Sequence, residues 1–224
     1  SPLFSSSCLT YRWQTLCRTL PASSRLLAVS KGHPAEAIRT LAVHGQVAFG
    51  ESRLQEATPK QKQLLDLDLQ WHFIGRLQSN KVRAVVKAFS VIHSVDSLVL
   101  AQRLSRIAME EDRCPEVFLQ MKLRPDPSKG GFSSDDLQAN WNVLNSLPSL
   151  RINGLMTMAP QGLKPDQRRG LFSDCRVLAD DLGLVECSMG MSGDWAEAAA
   201  CGSTWLRIGS AVFGPRPMLK ESIG

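Results

Sequence analysis

A chain of 224 residues that is 43% hydrophobic and 21% charged has the composition of an ordinary globular protein, long enough to bury a sizeable core and not of the kind that stays disordered. Its net charge of +5 comes from 26 Lys and Arg scattered among 21 acids, with no basic stripe interleaved with aromatics, so no nucleic-acid partner is expected. No stretch approaches the roughly 20 apolar residues that span a bilayer, and the first residues lack a basic region followed by an apolar core, so no membrane contact and a cytoplasmic location are expected.

In chain order, Leu9, Trp13, Leu16, Cys17 and Leu20 recur at spacings of three and four, which predicts an N-terminal helix within residues 1–24, packed on the rest of the domain. A short apolar run over 26–30 reads as the first strand and ends at Lys31. Pro34 then sits where a first helical turn would begin, and Gly45 where that helix would end. Further strands are predicted over 47–50, 71–75, 91–95, 117–123, 152–158 and 185–191, and over all or part of 205–213. Most are near-continuous runs of Val, Ile, Leu, Phe and Met, as parallel strands covered on both faces require. Between them Asp96-Ser97 starts a helix through Leu98, Ala101 and Leu104, Pro165 starts another, and Gly202 ends one. Eight such units predict an α/β fold: a single (β/α)8 TIM barrel over residues 25–224, one domain overall, with an open doubly wound sheet as the alternative.

Active sites of such barrels lie at the C-terminal ends of the strands. A lysine held there, as Lys31 is, can offer a neutral amine to an aldehyde. The loops after the seventh and eighth strands carry Ser192-Gly193 and Gly209-Ser210, suited to an anion such as a phosphate. Together these point to a pyridoxal phosphate site. His72, inside the third strand, reads equally as a hydrogen-bonded interior histidine or a site residue. Met156, Met158, Met189 and Met191 alternate as core-filling residues do. Asn80-Lys81 reads as a turn at a helix start, and 128–132 as a glycine-containing connection. Cys8, Cys17, Cys114, Cys175, Cys187 and Cys201 form no CxxC pair and no regular spacing, which predicts reduced thiols, with neither a zinc site nor a disulfide framework. The chain begins with Ser1 rather than Met, which leaves upstream targeting information open.

Several separated motifs occur together: Ala28-Val29-Ser30-Lys31, Phe49-Gly50-Glu51-Ser52-Arg53-Leu54-Gln55-Glu56, and Trp71-His72-Phe73-Ile74-Gly75-Arg76-Leu77-Gln78-Ser79-Asn80-Lys81. They continue with His93-Ser94-Val95-Asp96, Ser128-Lys129-Gly130-Gly131-Phe132, Gly154-Leu155-Met156-Thr157-Met158 and Ser188-Met189-Gly190-Met191-Ser192-Gly193-Asp194. In this order, over about residues 26–214, the chain resembles the YggS/PROSC-type pyridoxal phosphate homeostasis proteins in their cyanobacterial form. The resemblance implies a barrel like the alanine racemase N-terminal domain, with pyridoxal 5'-phosphate held as a Schiff base on Lys31. It places Arg207 opposite the pyridine nitrogen and Ser192, Gly193, Gly209 and Ser210 at the phosphate. Ser52, His72 and Met189 are candidates for ring contacts. Ser52 stands where the wider family has Asn, and Gly32-His33 where Thr-Lys or Gln-Val is usual.

A guanidinium stays protonated, so opposite the pyridine nitrogen Arg207 donates a hydrogen bond and leaves that nitrogen without a proton, which makes the ring a poor electron sink. Racemisation would need a second acid-base group opposite the lysine, and the only tyrosine is Tyr11 in the N-terminal helix. The resemblance therefore implies a non-catalytic carrier that captures and releases the cofactor in vitamin B6 homeostasis, as a monomer, with apo pyridoxal phosphate-dependent enzymes as candidate recipients. A pyridoxal phosphate-dependent racemase or related enzyme, and a barrel-based interaction module, are the alternatives.

Overall fold

Burial on both faces is what makes the strands legible as apolar runs, and the chain satisfies it by closing them into a ring. The computed structural model describes residues 6–217; positions 1–5 and 218–224, the outer ends of the expected N-terminal segment and barrel domain, lie outside the described residues. Helix α1 (Ser6–Thr19) leads into β1 (Arg25–Val29), α2 (Ala35–Val43), β2 (Ala48–Glu51), α3 (Leu54–Gln63) and β3 (Gln70–Phe73). A 3-10 turn at Ser79–Lys81 then precedes α4 (Val82–Ala88), β4 (Val91–Val95), α5 (Leu98–Glu110), β5 (Glu116–Met121) and α6 (Ser134–Asn145). The rest is β6 (Arg151–Thr157), α7 (Pro165–Asp181), β7 (Glu186–Ser188), α8 (Trp195–Ala200), β8 (Trp205–Ile208) and α9 (Ser210–Phe213). The strands pair in sequence order, all parallel, and β8 pairs with β1 to close the barrel. This is the expected (β/α)8 architecture.

Closure divides the core in two. Outward-facing Leu26, Ala28, Phe49, Ile92, Val117 and their like pack against the helices, while Leu27, Ala48, Val91, Phe118, Met156 and Trp205 fill the barrel interior as a separate cluster. Alternation along each strand assigns residues to the two. Ser97 caps α5 by accepting from the Leu100 N–H at 3.1 Å, and Pro165 opens α7 at its first position.

Strands β3, β5 and β6 end one or two residues before their expected ends, and β7 and β8 end earlier still. β7 stops at Ser188 because Gly190, at φ +102°, turns the chain. β8 stops at Ile208; after Gly209 the remaining apolar residues form α9. The α1 helix buries Leu9 and Leu16, whereas Cys17 faces solvent. Arg12 on α1 donates to the Val212 and Phe213 carbonyls at 3.0 Å each, satisfying the C-terminal end of α9. Trp13 donates to Gln46 at 2.9 Å, and Gln46 in turn donates to the Leu26 and Ala48 carbonyls at the start of the barrel.

Candidate functional site

At the C-terminal ends of the strands lies a cavity of about 320 Å³. Its wall includes Lys31 beyond β1, Ser52 beyond β2, Arg207 of β8, and Ser192, Gly193, Gly209 and Ser210 from the last two loops. Among the described residues the wall contains no carboxyl group and no tyrosine.

Lys31 is held by its neighbours in sequence. The Ser30 hydroxyl donates to the buried Glu51 carboxylate, and the Ser30 carbonyl accepts from Lys60 Nζ at 3.0 Å. Gly32, at φ +80°, turns the chain immediately after the lysine, a conformation that costs a residue with a Cβ. Its N–H donates to Glu56 at 2.6 Å. Lys60 also donates to both Glu51 oxygens at 3.0 and 3.1 Å and to Glu56 at 2.5 Å, so one buried ammonium ties together the loop and two carboxylates. Burial, then Arg216, and more weakly Arg207 and Arg53 push the Lys31 amine below the ordinary lysine range, against an opposing pull from Glu56. A larger fraction of it is the neutral nucleophile at physiological pH.

Arg207 is almost fully buried, with 5% exposed. It donates to Ser188 Oγ at 2.6 Å and to the Thr157 carbonyl at 3.1 Å, and no carboxylate of the described residues accepts from it. Burial lowers its pKa to about 10, with Asp194 and Cys175 opposing, so the guanidinium remains charged at neutral pH. The Ser192-Gly193 loop is a turn closed by Asp194, which accepts from the Met191 N–H at 2.8 Å.

The structure thus brings Lys31, Ser52, Ser192, Gly193, Arg207, Gly209 and Ser210 to one cavity. It does not bring His72 or Met189 to the wall: His72 lies in the barrel interior, 1% exposed, and Met189 is fully buried in the outer core. Asn80 and Lys81 are on the 3-10 turn, also off the wall. The wall gains Ile74, Met156 and Met158 as an apolar surface and Arg216 as a further cation. His33 also lines it, stacked on Phe213 at 4.7 Å and held neutral, with burial first and Lys60 second lowering its pKa to about 4. The Glu56–Lys60 pair was open to sequence reasoning through its i, i+4 spacing; Arg216 carries no local signal.

The family model for the alanine racemase N-terminal domain matches residues 5–217. A pyridoxal phosphate homeostasis protein of Synechocystis sp. is 45% identical over 211 residues, covering 91% of this chain and 97% of that protein, and one of Pseudomonas aeruginosa is 44% identical over 198 residues, covering 88% and 86%. The chain belongs to the pyridoxal phosphate homeostasis protein family. Within the family, the structure of PipY from Synechococcus elongatus PCC7942 with pyridoxal phosphate bound is 48% identical, with a TM-score of 0.88 over 92% of this chain and 100% of that one. Alanine racemase of Clostridium difficile 630, 16% identical with a TM-score of 0.77, covers 94% of this chain but gives only 57% of its own length, and shows the shared barrel fold. No helix among the described residues is long and apolar enough to cross a membrane, and no cluster of them could hold a metal ion.

Proposed function

We propose that this chain is a pyridoxal 5'-phosphate-binding protein of vitamin B6 homeostasis that captures the cofactor on Lys31 and releases it without turning over amino acids. The observation that carries the reading is the pairing of a half-buried lysine of lowered pKa with a buried arginine that, among the described residues, has no carboxylate partner, across a cavity whose described wall holds no acid. These residues suit the cofactor. The Lys31 amine adds to the aldehyde and water leaves, giving the Schiff base; hydrolysis reverses it. Arg207 offers N–H donors to the pyridine nitrogen, Ser192, Gly193, Gly209 and Ser210 offer donors to the phosphate, and Ile74, Met156 and Met158 shield the ring. Bound in this way, the cofactor supplies an electrophilic carbon but a ring left unprotonated, which is a weak electron sink.

The same wall supports the reading without turnover. Proton transfer at a substrate carbon needs a positioned acid-base pair. Tyr11 is 69% exposed on α1 and lines a different, outer groove, and the neutral His33 follows Lys31 on its own loop. In this reading the chain acts in the cytoplasm as a monomer of 24.6 kDa and hands the cofactor to apo-enzymes. Borohydride reduction of protein incubated with pyridoxal phosphate should fix the cofactor to Lys31, as read by peptide mass spectrometry, and Lys31→Ala should abolish the visible band. No band in the unmodified chain defeats cofactor binding. Exchange of the Cα hydrogen of an amino acid into deuterated water by the loaded protein would instead favour the racemase-like alternative.

A further inference from the structure

A single hydrogen-bonded chain runs through the barrel interior to Arg207. Gln70 Oε1 is 2.8 Å from His72 Nε2, His72 Nδ1 is 2.8 Å from His93 Nε2, and His93 Nδ1 is 2.8 Å from Ser188 Oγ, which accepts from Arg207 at 2.6 Å. Both rings are fixed by packing: His93 stacks on Phe118 at 4.5 Å, and His72 meets Trp205 edge-on at 4.9 Å. Nothing in the capture chemistry uses these histidines.

The direction of the chain is determined. Arg207 can only donate, so Ser188 accepts from it and must send its own proton elsewhere. The described contacts of Ser188 Oγ offer one acceptor, His93 Nδ1. A neutral imidazole has one donor and one acceptor, so His93 carries its proton on Nε2 and donates to His72 Nδ1, and His72 carries its own on Nε2 and donates to Gln70. The opposite order would leave the serine proton without a partner in a buried site, at a cost of about 1–3 kcal/mol. Burial keeps both rings neutral, His72 at a pKa of about 3 and His93 well below the ordinary range. Every lone pair in the chain therefore faces the guanidinium and every proton points away from it.

We propose that Ser188, His93 and His72 are positioning residues that orient Arg207 toward the pyridine ring by solvating its buried charge with a neutral, aligned chain in place of a carboxylate. A carboxylate would fix the arginine equally well, but its negative charge would offset the field that Arg207 presents to the cavity. The neutral chain fixes one N–H and leaves that field intact. Among the described residues only two of the five guanidinium N–H groups are committed, to Ser188 and Thr157, so donors remain for a ligand. The proposal rests on the assignment of Arg207 to the ring nitrogen.

The test has two parts. Nitrogen-15 NMR of the unloaded protein should show His72 and His93 as neutral Nε2–H tautomers that do not titrate between pH 5 and 8. A proton on Nδ1 of either ring overturns the chain, whatever the variants do. In the loaded protein, Ser188→Ala and His93→Phe should each shift the visible absorption band in the direction given by Arg207→Gln and speed release on dilution by roughly tenfold, or about 1.4 kcal/mol. His93→Gln, whose amide oxygen can still accept from Ser188, should recover most of the retention. If Arg207→Gln changes band and release while Ser188→Ala and His93→Phe stay within twofold of the unmodified protein, the positioning role is wrong and the ring assignment stands. If Arg207→Gln itself changes neither, the ring assignment is wrong and the positioning role falls with it.

Discussion

Replacing Lys60 by methionine removes the one ammonium that the loop behind Lys31 is built around. Lys60 has 9% of its side chain exposed and Glu51 none, while Glu56 has 31% exposed. After Lys60→Met, Glu56 keeps the Gly32 N–H and can rehydrate, whereas Glu51 keeps only the Ser30 hydroxyl. Breaking a buried pair from one side typically costs 3–5 kcal/mol, and because Glu56 can reach water the lower end applies, about 3 kcal/mol at neutral pH. The pH dependence follows from Glu51. Burial already raises its pKa in the fold despite Lys60, so its contribution to stability is fully present below its unfolded pKa and is lost as pH rises through the folded value. Glu56 works the other way: burial raises its pKa, but the hydrogen bonds from Lys60 and Gly32 outweigh this and leave it lowered, so its contribution is lost as pH falls. Without Lys60 the Glu51 effect grows and the Glu56 effect shrinks, and the deficit of the variant should diminish as pH falls and Glu51 takes up its proton. Urea unfolding of the unloaded protein at pH 7.5 and 5.0, read as a shift in midpoint at unchanged slope, measures this. The double variant Glu51→Gln with Lys60→Met should recover all but about 1 kcal/mol, since no buried charge is then left unpaired. A deficit below about 1 kcal/mol, an equal deficit at both pH values, or no recovery in the double variant would refute the reasoning.

Two further outcomes are expected. At Gly75 an added Cβ would fall 2.0 Å from the Ser52 carbonyl oxygen, a backbone atom that cannot swing aside, so Gly75→Ala should destabilise the protein by about 1–3 kcal/mol and weaken pyridoxal phosphate binding by displacing Ser52 from the cavity wall; thermal unfolding and a binding titration check both. After burial, Arg216 is the strongest influence holding the Lys31 pKa down, so Arg216→Ala should raise that pKa and move the pH profile of Lys31 capture to higher pH. Trapping of pyridoxal, which lacks the phosphate, by borohydride at a series of pH values isolates this from any phosphate contact, and an unmoved profile would show that the Arg216 field does not reach the amine.

Eight strand–helix units and the place of Lys31 are legible in the residues alone, because both are short-range statements, whereas the choice between a closed barrel and an open sheet rests on the long-range pairing of β8 with β1. A parallel strand buried on both faces must be a continuous apolar run, and a polar residue at its end marks where the chain leaves the barrel, so β4 was legible to the residue and β1 to within one. Strand ends were less legible where an apolar run outlasts its pairing, as at β7, cut short before Gly190, and at β8, whose run continues into α9. Recognition of the motifs assigned Arg207 and the two serine-glycine loops to a common site, and only closure of the barrel shows them on one cavity with Lys31. The same closure moved His72 and Met189 off the wall. His72, His93, Ser188 and Arg207 lie on four different strands, the His93–Ser188 contact spanning 95 positions, and no local pattern records such a distance. Alternation along a strand fixes which residues face the interior, but which of them meet there depends on the stagger and tilt of the whole barrel, a property of the tertiary structure alone.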